Sequence, residues 1–403
     1  MRILWVNVGG LWPLHTGGRQ RSFNIISELA RRHQVTLLTT HGPDDDPQGL
    51  AARLPECEQL QSVPYALPKR ESAHFAISLV RSWFSPLSVN LWRWRIPSLR
   101  KEVQRCLSTT KPDLCVVDFL YSAPNVPLDA PVPVVLFDHN VEYLIWKRLS
   151  QSERRLWRRL LLEIEWRKMR RFESKACTRA SLTLAVSDID QSLLSANAPA
   201  ALVRAIPTGV DTTYFMPNGS REAPARLVFT GSMDWYPNED AILHFVDAIL
   251  PRIRREVPDV SLTVVGRNPT PRLLTIAGKD GIRVTGTVDD VRPYVAEAAV
   301  YVVPLRVGGG TRLKIFEALA MGKAVVATTV GAEGLPLIPG EHFLQADEPA
   351  DFSHAVISLL RDAERRHRLG RAGRRLVEQR YSWPQVAREF EARLKEVIKS
   401  HAY

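Results

Sequence analysis

The sequence predicts an α/β protein of two doubly wound, Rossmann-like domains. Short apolar runs alternate with helical stretches along the whole chain, the pattern of parallel sheets covered by helices on both faces. The runs form two series, separated by Ile206-Pro207-Thr208-Gly209-Val210-Asp211 and the polar, Pro- and Gly-bearing segment 217–225. A chain of 403 residues is also long enough for two domains that each bury a core.

In order, the first series reads as strands at 2–8, 35–39, 113–118, 132–137 and 182–186. After the first strand, Gly17-Gly18-Arg19 precedes a helix starting near Gln20, and the amides of Gly17 and Gly18 are placed to face a phosphate or an acceptor. The plain alternative is a βα turn. There is no G-x-G-x-x-G followed by an acidic residue about 20 positions on, which argues against a dinucleotide site. The strand at 132–137 runs into Asp138-His139-Asn140-Val141-Glu142. Ligands collect at the carboxyl ends of strands in open α/β sheets. His139 is therefore a candidate site residue, with a structural turn histidine as its alternative. Asp118 and Glu142 are secondary candidates that can equally end a strand or cap a helix.

The second series reads as strands at 226–231, 260–265, 281–285, 299–303 and 323–327. Gly231-Ser232 follows its first strand. Thr287 and Val288 follow its third, where backbone groups can read a nucleobase edge or simply make a tight turn. Arg267 reaches either a phosphate or solvent. A last helix covers about 383–399, giving domains at 1–206 and 207–382 with a final element at 383–403.

Residues 304–334 carry the most chemistry. Gly308, Gly309 and Gly310 let a backbone approach a ligand with no Cβ in the way. A helix from roughly Thr311 to Met321 then points its free amides at the same spot. Arg312 and Lys314 in its first turn oppose the helix dipole, so an anion such as a diphosphate accounts for them better than helix stability does. Glu317, a turn further on, can accept from a ribose diol. Together these residues describe a nucleotide-sugar site.

This segment resembles the donor motif of the family-4 retaining glycosyltransferases, which have the GT-B fold; Glu317-Ala318-Leu319-Ala320-Met321-Gly322 matches its second half. The likeness extends through Gly17-Gly18-Arg19, His139-Asn140-Val141-Glu142, Val186-Ser187-Asp188, Pro207-Thr208-Gly209-Val210-Asp211, Gly231-Ser232 and Val264-Val265-Gly266-Arg267. It is nearest to sugar transferases of bacterial exopolysaccharide systems, in which Gly-Gly-Gly-Thr-Arg-x-Lys precedes the Glu. The chain departs from the family in two places. Gly309 stands where the family has its first Glu, and Gly231-Ser232-Met233-Asp234-Trp235 lacks the cations that usually hold the diphosphate, leaving that role to Arg312 and Lys314.

The resemblance implies two domains facing across a cleft and a last helix crossing back to the first domain. It implies a nucleoside-diphosphate sugar as donor substrate, bound at Gly231, Thr287, Val288, Gly308–Gly310, Thr311 and Glu317. It places His139 near the transferred sugar and Arg312 and Lys314 at the departing diphosphate, with the amides of Gly17 and Gly18 facing the donor phosphate or the acceptor across the cleft. No cofactor and no metal are implied. The acceptor is lipid- or saccharide-linked. An epimerase or hydrolase of the same fold and a catalytically silent partner subunit are the alternatives.

The net charge of +11 is concentrated in residues 81–105 and 146–179, leaving the rest slightly acidic. Tryptophans 83, 92 and 94 lie in the first block and 146, 157 and 166 in the second, which suits an anionic membrane surface. The alternative is ordinary helices whose Trp157, Leu160, Ile164, Phe172 and Ala176 face the core. Nucleic acid is disfavoured, since no recognised binding motif accompanies the charge. Four cysteines without metal spacing, no signal-peptide pattern and no apolar run of about 18 residues predict a cytoplasmic protein, at most peripheral on the inner face of the membrane.

Overall fold

A strand that is apolar on both faces is stable only inside a covered sheet, and both series behave this way. In the computed structural model, which describes residues 1–68, 73–153, 155–308 and 312–401, they form two separate parallel sheets. The chain divides into two units, Met1–Pro207 with Val386–Tyr403, and Thr208–Gln385.

In unit 1, β1 (Arg2–Asn7), β2 (Gln34–His41), β3 (Gln59–Pro64), β4 (Leu114–Asp118), β5 (Val134–Phe137), β6 (Leu182–Ala185) and β7 (Val203–Ala205) lie in the order β3-β2-β1-β4-β5-β6-β7. In unit 2, β8 (Ala223–Thr230), β9 (Ser261–Val265), β10 (Ile282–Val284), β11 (Ala298–Val303), β12 (Ala324–Ala327) and β13 (Leu344–Gln345) lie in the order β10-β9-β8-β11-β12-β13. Each order reverses once, between β1 and β4 and between β8 and β11. A crevice opens there at the strands' carboxyl ends.

Seven helices matter below: α1 (Gly17–Ala30), α2 (Ala73–Trp83), α3 (Glu142–Ser152), α4 (Leu156–Arg179), α5 (Tyr236–His244), α6 (Leu313–Ala320) and α7 (Trp383–His401). From α7, Phe390 stacks on Trp5 at 5.6 Å and meets Phe137 edge-on at 5.1 Å; all three rings are fully buried in unit 1.

Two helix starts differ from expectation. Helix α1 begins at Gly17, not near Gln20, because the Thr16 hydroxyl accepts the Arg19 amide at 3.3 Å and caps the helix early. Helix α6 begins at Leu313, so Arg312 stands at its N-cap. Gly309, Gly310 and Thr311 lie outside the described residues.

The basic blocks also sort differently. Arg93 is buried and donates to the Pro68 carbonyl, while Trp94 and Trp146 pack on the core. Trp157, Leu160 and Ile164 are exposed, against the core-facing alternative. The 24-residue α4 is about 36 Å long, and its buried residues begin only at Glu165 and continue through Met169, Glu173, Ala176 and Cys177. Its first turns therefore run past the core. Among the described residues no helix is long and apolar enough to cross a membrane.

Candidate functional site

Each switch point holds a cluster of polar side chains. In unit 1 the parallel register sets Asn7 of β1 beside Asp118 of β4, and Asp118 beside Phe137 of β5. Asp118 accepts from Trp5 Nε1 at 3.0 Å and Asn7 Nδ2 at 2.9 Å through one oxygen, and its other oxygen lies 2.8 Å from His139 Nε2. On the ring's far side, Arg21 Nη1 from α1 is 3.0 Å from His139 Nδ1. A guanidinium can only donate. Nδ1 must then accept, and Nε2 carries the hydrogen to Asp118. Burial holds the His139 pKa down to about 4, against the pull of Asp118, so the ring is neutral.

Phe119 stacks on the imidazole at 3.8 Å and holds a φ of +66°, unusual for a bulky residue and the kind of strain that collects at functional sites. Gly18 explains itself here, since a β-carbon would meet the Phe119 ring at 2.5 Å. The glycine pair belongs to the first turn of α1, where backbone amides have no helical partner. Arg19 instead braces the preceding loop through the Gly9 and Pro13 carbonyls and Asp45.

With both nitrogens engaged and the side chain buried, His139 presents neither nitrogen to a ligand in this conformation. Glu142 is likewise tied up. It accepts the Tyr121 hydroxyl at 2.6 Å and gives its own amide to Glu173 at 2.7 Å.

In unit 2 the ends of β8 and β11 bring Gly231 and Gly308 to the same edge of the sheet, and α6 follows. The Lys314 ammonium donates to Asn238 Oδ1 at 2.8 Å and sits 4.0 Å from the Phe229 ring. It lies against Gly231, close enough that a β-carbon there would approach it to 2.8 Å. The buried Asn238 also donates to the Ser232 carbonyl at 2.8 Å. Arg312 is buried, with its guanidinium 5.8 Å over the Trp235 ring. Gly308 has a φ of +130°, and a β-carbon there would crowd both Arg312 and Trp235.

Glu317 follows Lys314 on α6. Burial raises its pKa to about 7, opposed by Lys314. Burial lowers Lys314 to about 7, opposed by Glu317. A lysine held so low, whose hydrogen-bond partner among the described residues is the neutral Asn238, would gain strongly from an anion.

Thr287 is exposed in the loop after β10, Val288 packs inward on the core, and Arg267 donates to the Ser232 hydroxyl at 2.9 Å. Arg21, Phe119 and Asn238 complete these clusters without having been singled out in the sequence, and Trp235 was named there only as part of a stretch lacking cations.

Two family models match the chain: "Glycosyltransferase Family 4" over residues 16–214 and "Glycosyl transferases group 1" over residues 224–362. The chain is 33% identical over 196 residues to phosphatidyl-myo-inositol mannosyltransferase of Mycobacterium tuberculosis, covering 45% of this chain and 51% of that protein. It is 29% identical over 218 residues to the GDP-mannose-dependent alpha-(1-6)-phosphatidylinositol monomannoside mannosyltransferase of the same organism, covering 48% and 56%. The chain thus spans about half the length of the curated relatives it matches. Among solved structures it resembles Anabaena HepE in complex with UDP, with a TM-score of 0.67 at 15% identity over 98% of this chain and 100% of that one. The two sheets have the GT-B fold.

Proposed function

We propose that the protein is a retaining glycosyltransferase that moves a hexose from a nucleoside-diphosphate sugar to a lipid- or saccharide-linked acceptor. The observation that carries this reading is the cluster of Arg312, Lys314 and Glu317 at the switch point of unit 2. The two matching models, one in each unit, support it. The relatives' names include a GDP-mannose-dependent enzyme and a complex with UDP, which have a nucleoside diphosphate in common.

Unit 2 binds the donor. Glu317 accepts from the ribose, and Thr287 and Val288 lie beside the nucleobase. The backbone amides of Gly231 and Gly308 face the diphosphate and sugar. As the sugar–phosphate bond breaks, negative charge grows on the leaving diphosphate. Arg312 and Lys314 stabilise it where it develops. The acceptor hydroxyl attacks the anomeric carbon from the same face and gives its proton to the departing phosphate oxygen, so no carboxylate pair is required. The two cations supply the charge that a metal would otherwise provide.

Unit 1 serves the sugar and acceptor. His139 is a positioning residue. Clamped between Arg21 and Asp118, it fixes Phe119 and the loop 138–142 beside the α1 amides of Gly17 and Gly18. The phosphatidylinositol acceptors named for the mycobacterial relatives favour a lipid-linked acceptor and work at the inner face of an anionic membrane in glycoconjugate or exopolysaccharide synthesis.

The test is nucleoside-diphosphate release from a panel of nucleotide sugars, with and without lipid and saccharide acceptors. Acceptor-dependent release is expected. Equal release without acceptor would make the protein a hydrolase or epimerase, and tight binding without turnover would make it a silent subunit.

A further inference from the structure

We propose that α3, the first half of α4 and the end of α2 form one docking surface for an anionic lipid bilayer. Half of the large apolar side chains left exposed among the described residues fall in these three places, each between 44 and 89% exposed. On α4 they form a row one helical turn apart, Leu156, Trp157, Leu160 and Ile164, and Phe84 protrudes just beyond α2. Scattered apolar residues on a surface need no explanation, but a clustered row does.

The three pieces are tied together. Lys168 on α4 donates to the Ser82 carbonyl of α2 at 2.7 Å, and Ser150 on α3 donates to Glu163 on α4 at 2.7 Å.

The charge on this surface selects the occupant. Arg148, Arg155, Arg158, Arg159 and Arg171 are exposed, and among the described residues none of them has a carboxylate within ion-pair distance. The acids of α4 are engaged within the protein: Glu163 with Ser150 and Arg167, Glu165 with the Val89 amide, and Glu173 with the Glu142 amide. Arg158 lies 5.1 Å over the Trp157 ring, a cation beside an indole as found at headgroup depth.

An apolar row flanked by unpaired cations matches an acyl boundary under anionic headgroups. A second copy would bring like charges together, and a nucleic acid has no use for the leucine and isoleucine row. The inference rests on the transferase reading only for its purpose, which is to bring the enzyme to a lipid-anchored acceptor.

The experiment is cosedimentation of the full chain with vesicles of equal parts phosphatidylglycerol and phosphatidylcholine, compared with phosphatidylcholine alone, at low and high salt. Two triple variants are compared with the wild type: Arg155→Gln/Arg158→Gln/Arg159→Gln and Trp157→Ser/Leu160→Ser/Ile164→Ser. Binding to the anionic vesicles is expected, weakened by salt. The arginine variant should bind roughly a hundredfold more weakly, and the apolar variant should lose binding by a similar factor. Nucleoside-diphosphate affinity should be unchanged in both. The proposal fails if the wild type binds neither vesicle or both equally, or if neither variant changes the partition. It also fails if the apolar variant instead turns a dimer into a monomer, or if the arginine variant instead loses binding to duplex DNA. A wild type that binds these vesicles but no nucleoside diphosphate would overturn the transferase reading and leave this one standing.

Discussion

The two switch points have the same topology and opposite electrostatics. In unit 1 the groups touching the histidine answer one another: His139 lies between Arg21 and Asp118, and Asp118 also accepts from Trp5 and Asn7. In unit 2, Lys314 has a neutral partner in Asn238, and burial holds its pKa near 7. A closed network fixes shape. A cation with unmet demand waits for a ligand. On the proposed reading, the first cluster is scaffolding and the second stabilises charge.

The sharpest way to break this comparison is Lys314→Ala, and Arg312→Ala beside it. Each is expected to reduce turnover by roughly a hundredfold or more, read as initial rates with saturating donor. An intact rate would remove both residues from the reaction.

Asp118→Asn is the complementary change. It sets an amide hydrogen against donors that need an acceptor and costs about 3 kcal/mol of stability, measurable by denaturant unfolding. Nucleoside-diphosphate affinity should be preserved. If affinity fell while stability held, the two clusters would have exchanged roles. Glu317→Ala should weaken nucleoside-diphosphate binding by about ten- to a hundredfold through loss of a charge-assisted hydrogen bond. Calorimetry showing no change would make Glu317 an ordinary helix residue.

The pH dependence of binding sharpens the contrast further. A diphosphate raises the pKa of a cation beside it, and Lys314 starts from about 7. Binding near neutral pH should therefore take up protons, and affinity should fall by up to about tenfold per unit as pH rises above 7. Calorimetry in buffers of different ionisation enthalpy reads the uptake directly, and proton release would contradict the assignment. The smallest effect expected is none. Activity should persist in EDTA, and a loss restored by Mg²⁺ or Mn²⁺ would give the diphosphate's charge to a metal.

Strands with both faces buried were legible in the sequence. Leu114-Cys115-Val116-Val117 has few other places to go. The sheet edges were not legible: Gln59–Pro64 has only Leu60 and Val63 as apolar residues before its proline, and Leu344–Gln345 is two residues long. The cluster of Arg312, Lys314 and Glu317 could be singled out because the three share one local segment. The histidine clamp could not, because Arg21 lies 118 positions from His139, and Asn238 lies 76 from Lys314. No spacing rule reaches across a sheet. The row from Trp157 to Ile164 has ordinary helical periodicity, which says that a face exists but not what it faces.

The return of α7 to unit 1 has a consequence for how the chain is made. Residues 208–385 are contiguous and can close their core as they leave the ribosome. Residues 1–207 emerge earlier, yet Trp5 and Phe137 are without Phe390 until residue 390 has been made. At about 5–20 residues per second, the interval between residues 207 and 390 lasts roughly ten to forty seconds. The unit synthesised first is completed last, and a nascent chain stopped at residue 207 would leave uncovered the side of Trp5 on which Phe390 stacks.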